Sequence, residues 1–224
     1  VGTEIPHAMG VAWGMKLRRE RSAVLVYFGD GATSTPDFHV AMNFAGVFRV
    51  PCVFFCNNNQ WAISLPVSRQ TASATLAEKA HAYGMNGVRV DGMDALAVFG
   101  AVRQAAAAAR EGTGPSLVEA LTYRFGPHSS SDDPSRYRDE NEAASWRAHD
   151  PLVHFRRCLE RLGWWDENRE ASLEKEIGDE ISQAVTDAER MPPVPVEVFF
   201  GDVYAQPTWN LREELAEARS VPRR

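Results

Sequence analysis

"YFGDGATSTPDF", residues 27–38, decides the fold. An apolar run ends at Gly29-Asp30-Gly31, and the chain then meets Thr35, Pro36 and Asp37. Those three supply a cap candidate, a first-turn proline and an early acid, so a helix is predicted over 36–48. A buried strand feeding a helix is one unit of an α/β alternation, and the same rhythm recurs on both sides. A helix is predicted at 5–18 and a strand at 23–28. "VPCVFFC" reads as a second buried strand and "ASATLAEKAHAYG" as a helix ending at Gly84. "GVRVDG" is a third strand, "DALAVFGAVRQAAAAARE" a strong helix with Leu96, Phe99 and Val102 on one face, and "PSLVEALTYRF" a fourth strand. Strands this continuously apolar, alternating with helices, predict an α/β fold: a parallel sheet covered by helices on both faces.

After Gly126 the pattern changes. "GPHSSSDDPSRYRDENE" is polar and aperiodic, and helices follow at 139–148, 151–162 and 167–190. Leu173, Ile177, Ile181 and Val185 make a stripe on the last of these. "MPPVPVEVFFGDVYAQP" is expected to run extended, either as a surface strap or against a partner, before a short final helix "WNLREELAEARS". The expected organisation is an α/β domain over 1–126, a loop over 127–138, and a helical and extended portion over 139–224, packed on the same domain or on a partner. The opening "GTEIPHAMGVAWGMKL" reads as a helix already packed on something, as in a fragment or a domain whose first portion precedes Val1.

The bulk properties exclude some classes. With 224 residues, 44% of them hydrophobic, the chain has ample material for a core. A net charge of −6 argues against nucleic-acid binding, which needs a basic face, and the tail "SVPRR" is too short to supply one. No apolar stretch approaches the ~20 residues of a membrane span, and the first residues do not read as a signal peptide. The three cysteines, Cys52, Cys56 and Cys158, are odd in number, and two lie inside an apolar run. Reduced thiols and a cytoplasmic-type compartment are expected, because a zinc site needs a second Cys/His pair.

Ligand chemistry in such a sheet belongs outside the carboxyl ends of the strands. Asp30 emerges at one such end, and Asn57-Asn58-Asn59 emerge at the next. A carboxylate, an amide oxygen and a loop carbonyl make a hard half-cage suited to Mg²⁺, with phosphate oxygens and water completing it. Gly29 and Gly31 would let the backbone approach a phosphate, and the helix starting near Pro36 offers free N–H groups. Alone, Gly-Asp-Gly is a common turn and an asparagine cluster a common cap. Together, separated by 26 residues and each ending a predicted parallel strand, they are far more specific.

GDG followed at this distance by NN resembles the thiamine-diphosphate motif. "IPHAMGVAWGMK", "NFAGVF", "NNQWAIS", "VDGMD", "TYRFGPHSSSDDPSRYR" and "WW" extend the likeness along nearly the whole chain. They resemble the alpha subunit of the decarboxylating component of 2-oxo acid dehydrogenase complexes, with the branched-chain type nearest and the pyruvate type next. The resemblance implies the thiamine-diphosphate-binding fold, with Asp30, Asn59 and the Trp61 main-chain oxygen on Mg²⁺. Gly29, Gly31 and Ala32 would meet the diphosphate through their backbone. Asn57 stands where some relatives carry an arginine on the diphosphate, so charge compensation must come from elsewhere. Thr3 and Glu4 fall where some relatives bind K⁺. A Tyr-Arg pair found earlier in such subunits has no match here, which implies a missing N-terminal part.

The same resemblance makes His128 the cofactor-facing residue that assists acyl transfer, a role suited to the side chain that exchanges protons near neutral pH. Arg124, Asp132, Tyr137 and Arg138 would order the loop around it; without the family they read as weak surface pairs. Ser129 to Ser131 resemble a segment phosphorylated in mitochondrial relatives, although serine-rich loops are usually turns. His7, His39 and His81 lie on predicted helices, where packing roles fit better, and His149 and His154 lie far from the motif. The implied activity is oxidative decarboxylation of a 2-oxo acid with acyl transfer to a lipoyl arm. The implied partners are a beta subunit, as two alpha and two beta, and a lipoyl acyltransferase core, in the cytoplasm or, in a eukaryote, the mitochondrial matrix. Acetoin dehydrogenase and a non-catalytic scaffold are the alternatives.

Overall fold

The structure is a computed structural model and describes residues 1–202 and 204–221; Val203 and the last three residues of the basic tail lie outside the described residues. The described chain forms two compact units, Val1–Trp164 and Trp165–Arg224.

The first unit opens with α1 (Glu4–Leu17), β1 (Val24–Gly29), a 3-10 turn over Asp30–Ser34 and α2 (Pro36–Phe48). Next come β2 (Cys52–Asn58), a two-residue-strand hairpin of β3 (Trp61–Ala62) and β4 (Leu65–Pro66), a short 3-10 turn, Val67–Arg69, and a longer one, Ala77–Tyr83. β5 (Asn86–Asp91), α3 (Ala95–Arg110), β6 (Ser116–Leu121), α4 (Glu140–Arg147) and α5 (Pro151–Arg161) complete it. Four strands pair in the order β1-β2-β6-β5, every pair parallel. The expected parallel α/β sheet is therefore present, and β1 and β2 are neighbours with Gly29 opposite Asn57.

Successive side chains on a strand point to opposite faces, so β2 divides its apolar residues between two cores. Cys52, Phe54 and Cys56 join Ile5, Phe38, Met42 and Leu117 beneath α1 and α2. Val53 and Phe55 join Val118, Ala105 and Ala109 beneath α3. Both faces being covered explains why the sequence of β2 shows no polar alternation. Burying one such side chain, Phe54 for example, contributes roughly 1.5–3 kcal/mol. Thr35 caps α2 by accepting from the Phe38 N–H at 3.4 Å, with Pro36 in its first turn. Asp94 caps α3 through the N–H groups of Leu96 and Ala97, at 2.9 and 3.1 Å.

Three local expectations change. The helix over 72–84 is only a 3-10 turn from Ala77, although Gly84 does end it, at φ 63°. Its first N–H is drawn to a side chain of the sheet, Glu119, rather than to its own backbone. β6 stops at Leu121, where its neighbours also end, and Tyr123 and Phe125 pack instead with Ala143 and Trp146 of α4. In the second unit, the stretch expected to be extended contains a helical turn, α7 (Val198–Gly201), beside which Glu197 pairs with Arg219 at 2.9 Å.

That unit also holds α6 (Glu167–Glu189) and α8 (Trp209–Ser220). Asp166 caps α6 by accepting from the Arg169 N–H at 2.9 Å, and the stripe from Leu173 to Val185 remains partly exposed. Cys52 and Cys56 are buried free thiols, and burial pushes Cys52 up to about 12; Cys158 is free and half-buried. Among the described residues no helix is long and apolar enough to cross a membrane.

Candidate functional site

Asp30 follows β1 and is 2% exposed, an expensive place for a carboxyl group. Its Oδ2 accepts from Gln70 Nε2 at 2.8 Å. Burial pushes the carboxyl above its ordinary 3.8, opposed by the Gln70 bond, by its own backbone, by the Arg124 charge and by the Asn59 N–H. The loop after β2 and the Arg124 charge thus both act on the acid. Gln70 Oε1 is buried there with no hydrogen-bond partner.

The three asparagines take separate tasks. Asn57 is exposed, its Oδ1 accepting from Thr122 Oγ1 at 2.7 Å. Asn58 is buried; it donates to Glu119 Oε1 at 2.7 Å and accepts from the Gln60 N–H at 3.0 Å. Asn59 turns the chain, its Oδ1 accepting from the Trp61 N–H at 3.0 Å. Trp61 is 7% exposed, and its carbonyl accepts from Arg124 Nη1 at 3.3 Å. Gly31 and Ala32 lie in the turn after β1, and a Cβ on Gly31 would come within 2.9 Å of Ala62 Cβ. The hairpin therefore closes on that glycine, whereas the space beside Gly29 is open. Thr3 stands at the N-cap position of α1 without a side-chain cap bond and Glu4 begins the helix, both exposed.

The predicted loop residues form one network. Arg124 donates through Nη2 to the Ile63 carbonyl at 2.6 Å and to the Tyr137 hydroxyl at 2.9 Å. Tyr137 in turn donates to Asp132 Oδ2 at 2.6 Å, and the same oxygen accepts from the His128 N–H at 2.7 Å. Those two bonds hold Asp132 below the usual carboxylate range, the His128 bond contributing most. Arg138 donates to the carbonyls of Arg124 and Phe125 and lies 5.6 Å from the Tyr123 ring centroid. Below the loop, Trp61, Tyr123 and Ala143 form a small core with Phe125, Tyr137 and Trp146. The His128 side chain is exposed, as are Ser129 and Ser131, whose hydroxyls are 3.3 Å apart.

Sequence reasoning missed Gln70, Lys79 and Glu119. Lys79 Nζ donates to the Thr33 carbonyl at 3.1 Å, inside the turn that Asp30 begins. For Glu119 a signal was available, since a lone acid inside the apolar run "SLVEAL" needs an explanation. Gln70 and Lys79 carry no such mark.

Comparison with known proteins assigns the family. Residues 1–197 match the family described as "Dehydrogenase E1 component". A 3-methyl-2-oxobutanoate dehydrogenase subunit alpha of Mycobacterium tuberculosis is 45% identical over 98% of this chain and 60% of its own length. A pyruvate dehydrogenase E1 component subunit alpha of Bacillus cereus is 43% identical over 96% of this chain and 58% of its own. A mitochondrial 2-oxoisovalerate dehydrogenase subunit alpha 2 of Arabidopsis thaliana is 43% identical over 96% of this chain and 46% of its own. The chain thus spans roughly half to three-fifths of these relatives, and on the strength of the matched residues it belongs to the dehydrogenase E1 component family.

Proposed function

We propose that this chain holds thiamine diphosphate and Mg²⁺ in the alpha subunit of an enzyme that oxidatively decarboxylates a 2-oxo acid and passes the acyl group to a lipoyl arm. The observation that supports the reading is that Asp30 and Asn59 follow two strands paired side by side, while Arg124 bonds both the Trp61 carbonyl and the Tyr137 hydroxyl of the His128 loop. The donor set fits the metal. Among the described residues no cluster of three or more His, Cys, Asp or Glu could hold an ion. One carboxylate, an amide oxygen and a main-chain carbonyl instead give Mg²⁺ half a shell of hard oxygens, and a diphosphate and water would supply the rest.

Asp30, Asn59 and Trp61 would hold the metal, while Gly29, Gly31 and Ala32 would offer backbone to the diphosphate. Asn57, tied to Thr122, brings no positive charge to that group. When bound, thiamine diphosphate supplies a carbon nucleophile and an electron sink that let a 2-oxo acid lose CO₂. The chain positions that chemistry through its loop. Asp132 fixes the His128 backbone, leaving the imidazole free to exchange a proton with a substrate oxygen or a lipoyl sulfur. Arg124 and Tyr137 secure Asp132, and Arg138 holds the loop's root.

In this reading a beta subunit completes the site, as two alpha and two beta, and the assembly serves a lipoyl acyltransferase core. The mycobacterial and plant names favour a branched-chain 2-oxo acid, and the similar identity to a pyruvate dehydrogenase subunit keeps pyruvate as the second reading. Calorimetric titration of the complete heteromer with thiamine diphosphate, with and without Mg²⁺, tests the cofactor. A rate comparison of branched-chain 2-oxo acids, pyruvate and acetoin tests the substrate. Absence of Mg²⁺-dependent binding would leave a non-catalytic scaffold as the better account.

A further inference from the structure

Glu119 lies at the centre of the sheet, 1% exposed, level with Cys56 on β2 and Arg89 on β5. It lies two residues along β6 from Leu117, so it shares the face that carries the larger core. Both carboxyl oxygens are engaged. Oε1 accepts from Asn58 Nδ2 at 2.7 Å and lies 4.0 Å from Arg89 Nε; Oε2 accepts from the Ala77 N–H at 2.9 Å.

The two hydrogen-bond donors belong to different parts of the molecule. Asn58 precedes Asn59, and its own side-chain oxygen accepts from the Gln60 N–H, so Glu119 fixes the turn on which Asn59 sits. Ala77 begins the 3-10 turn that carries Lys79. From there Lys79 reaches the Thr33 carbonyl at 3.1 Å and the Thr33 hydroxyl at 3.3 Å, and that hydroxyl donates to the Asp30 carbonyl at 2.8 Å. A continuous path thus runs from Asn59 through Asn58, Glu119, Ala77, Lys79 and Thr33 to Asp30. Gly87 supports it from the side, since a Cβ there would come within 2.2 Å of the Ala77 carbonyl oxygen and push the turn away.

A buried acid is a poor way to fill a core. Desolvating a carboxylate is costly, and the return is geometric: an acid that accepts at both of its oxygens fixes the relative position of its donors. We propose that Glu119 is a positioning residue which, with Lys79, braces the turn of Asp30 against the turn of Asn59 and so sets their separation for a cofactor-bound divalent cation. The inference rests on the cofactor reading above and deepens it.

The test uses the complete heteromer with Glu119→Met, Glu119→Gln and Lys79→Met, and three readouts. These are calorimetric affinity for thiamine diphosphate at fixed Mg²⁺, the thermal midpoint without cofactor, and kcat separated from the apparent KM for cofactor. Groups that orient ligating residues typically set metal affinity by about 10–100-fold, so a cofactor affinity at least tenfold weaker is expected in Glu119→Met. Glu119→Gln, which keeps one acceptor, should lose less. The cofactor-free midpoint of Glu119→Met should fall, because the Asn58 amide and the Ala77 N–H lose their buried acceptor, and kcat at saturating cofactor should change by less than about twofold, because the functional loss lies in binding. Unchanged affinity with a lowered midpoint would overturn the brace and leave Glu119 a packing residue. Should the Glu119 variants fail to assemble, Lys79→Met decides alone: weaker affinity supports the brace, and wild-type affinity overturns it. Wild-type protein that binds no cofactor sinks both readings, whereas normal wild-type binding with unaffected variants sinks only this one.

Discussion

Gln70 donates its side-chain amide to Asp30 across 2.8 Å while also donating to the Leu65 carbonyl at 3.1 Å. One residue from the segment after β4 thus supports the carboxyl group that follows β1 and anchors the hairpin that closes over Gly31. Gln70→Ala would leave that buried carboxyl without its side-chain donor. The expected cost in the cofactor-free protein is about 1–3 kcal/mol, read as a lowered thermal midpoint. A midpoint equal to that of wild type would show that water replaces the amide without loss.

Asp30→Ala should abolish Mg²⁺-dependent binding of thiamine diphosphate by the heteromer. The side chain supplies the one carboxylate among the residues proposed to hold the metal, and an amide and a carbonyl alone bind Mg²⁺ weakly in water. Calorimetry gives the answer, and retained affinity would remove Asp30 from the metal site. Asp94→Ala is the matched control. It deletes the two cap bonds of α3, should cost about 1 kcal/mol of stability, and should leave cofactor affinity untouched.

The parallel sheet was legible because its strands carry their signal locally. Val24–Phe28 and Cys52–Cys56 are continuous apolar runs that end in glycine or asparagine, and the structure ends the strands there. That Asp30 and Asn59 follow neighbouring strands was legible because sequential parallel strands commonly pair, as β1 and β2 do, with Gly29 opposite Asn57. The Trp61–Pro66 hairpin was not legible, since two-residue strands have no period to read. Tyr123 and Phe125 looked like strand because aromatic residues favour strands, yet their partners lie in α4, far away in sequence. The same distance hid Glu119 and Lys79: their donors and acceptors are 42 to 61 residues away, where no local motif can point.

The loop over 127–138 should be tied down by an acid that works only when ionised. Asp132 is held below its ordinary 3.8 by the His128 N–H and the Tyr137 hydroxyl, so its contribution is present above the unfolded value and is lost as pH falls through the folded one. Hydrogen exchange of this segment should therefore remain slow from neutral pH down to about pH 4 and quicken below it. Asp132→Ala should show the fast exchange at neutral pH already. A loop equally protected in that variant would mean that Arg138 and the aromatic core below suffice to order it.

His128→Ala separates binding from chemistry. The side chain is exposed and only its backbone N–H takes part in the Asp132 bond, so an alanine keeps that bond and the loop around it. Cofactor affinity should match wild type. Acyl transfer to the lipoyl arm should fall by about 10²–10⁴-fold, the range general acid–base groups supply. Single-turnover decarboxylation with an artificial electron acceptor isolates the first step from transfer and should suffer less, if the imidazole serves the lipoyl sulfur. Equal losses in both steps would place its action on the 2-oxo acid instead, and wild-type rates in both would leave His128 as a surface residue of a well-ordered loop.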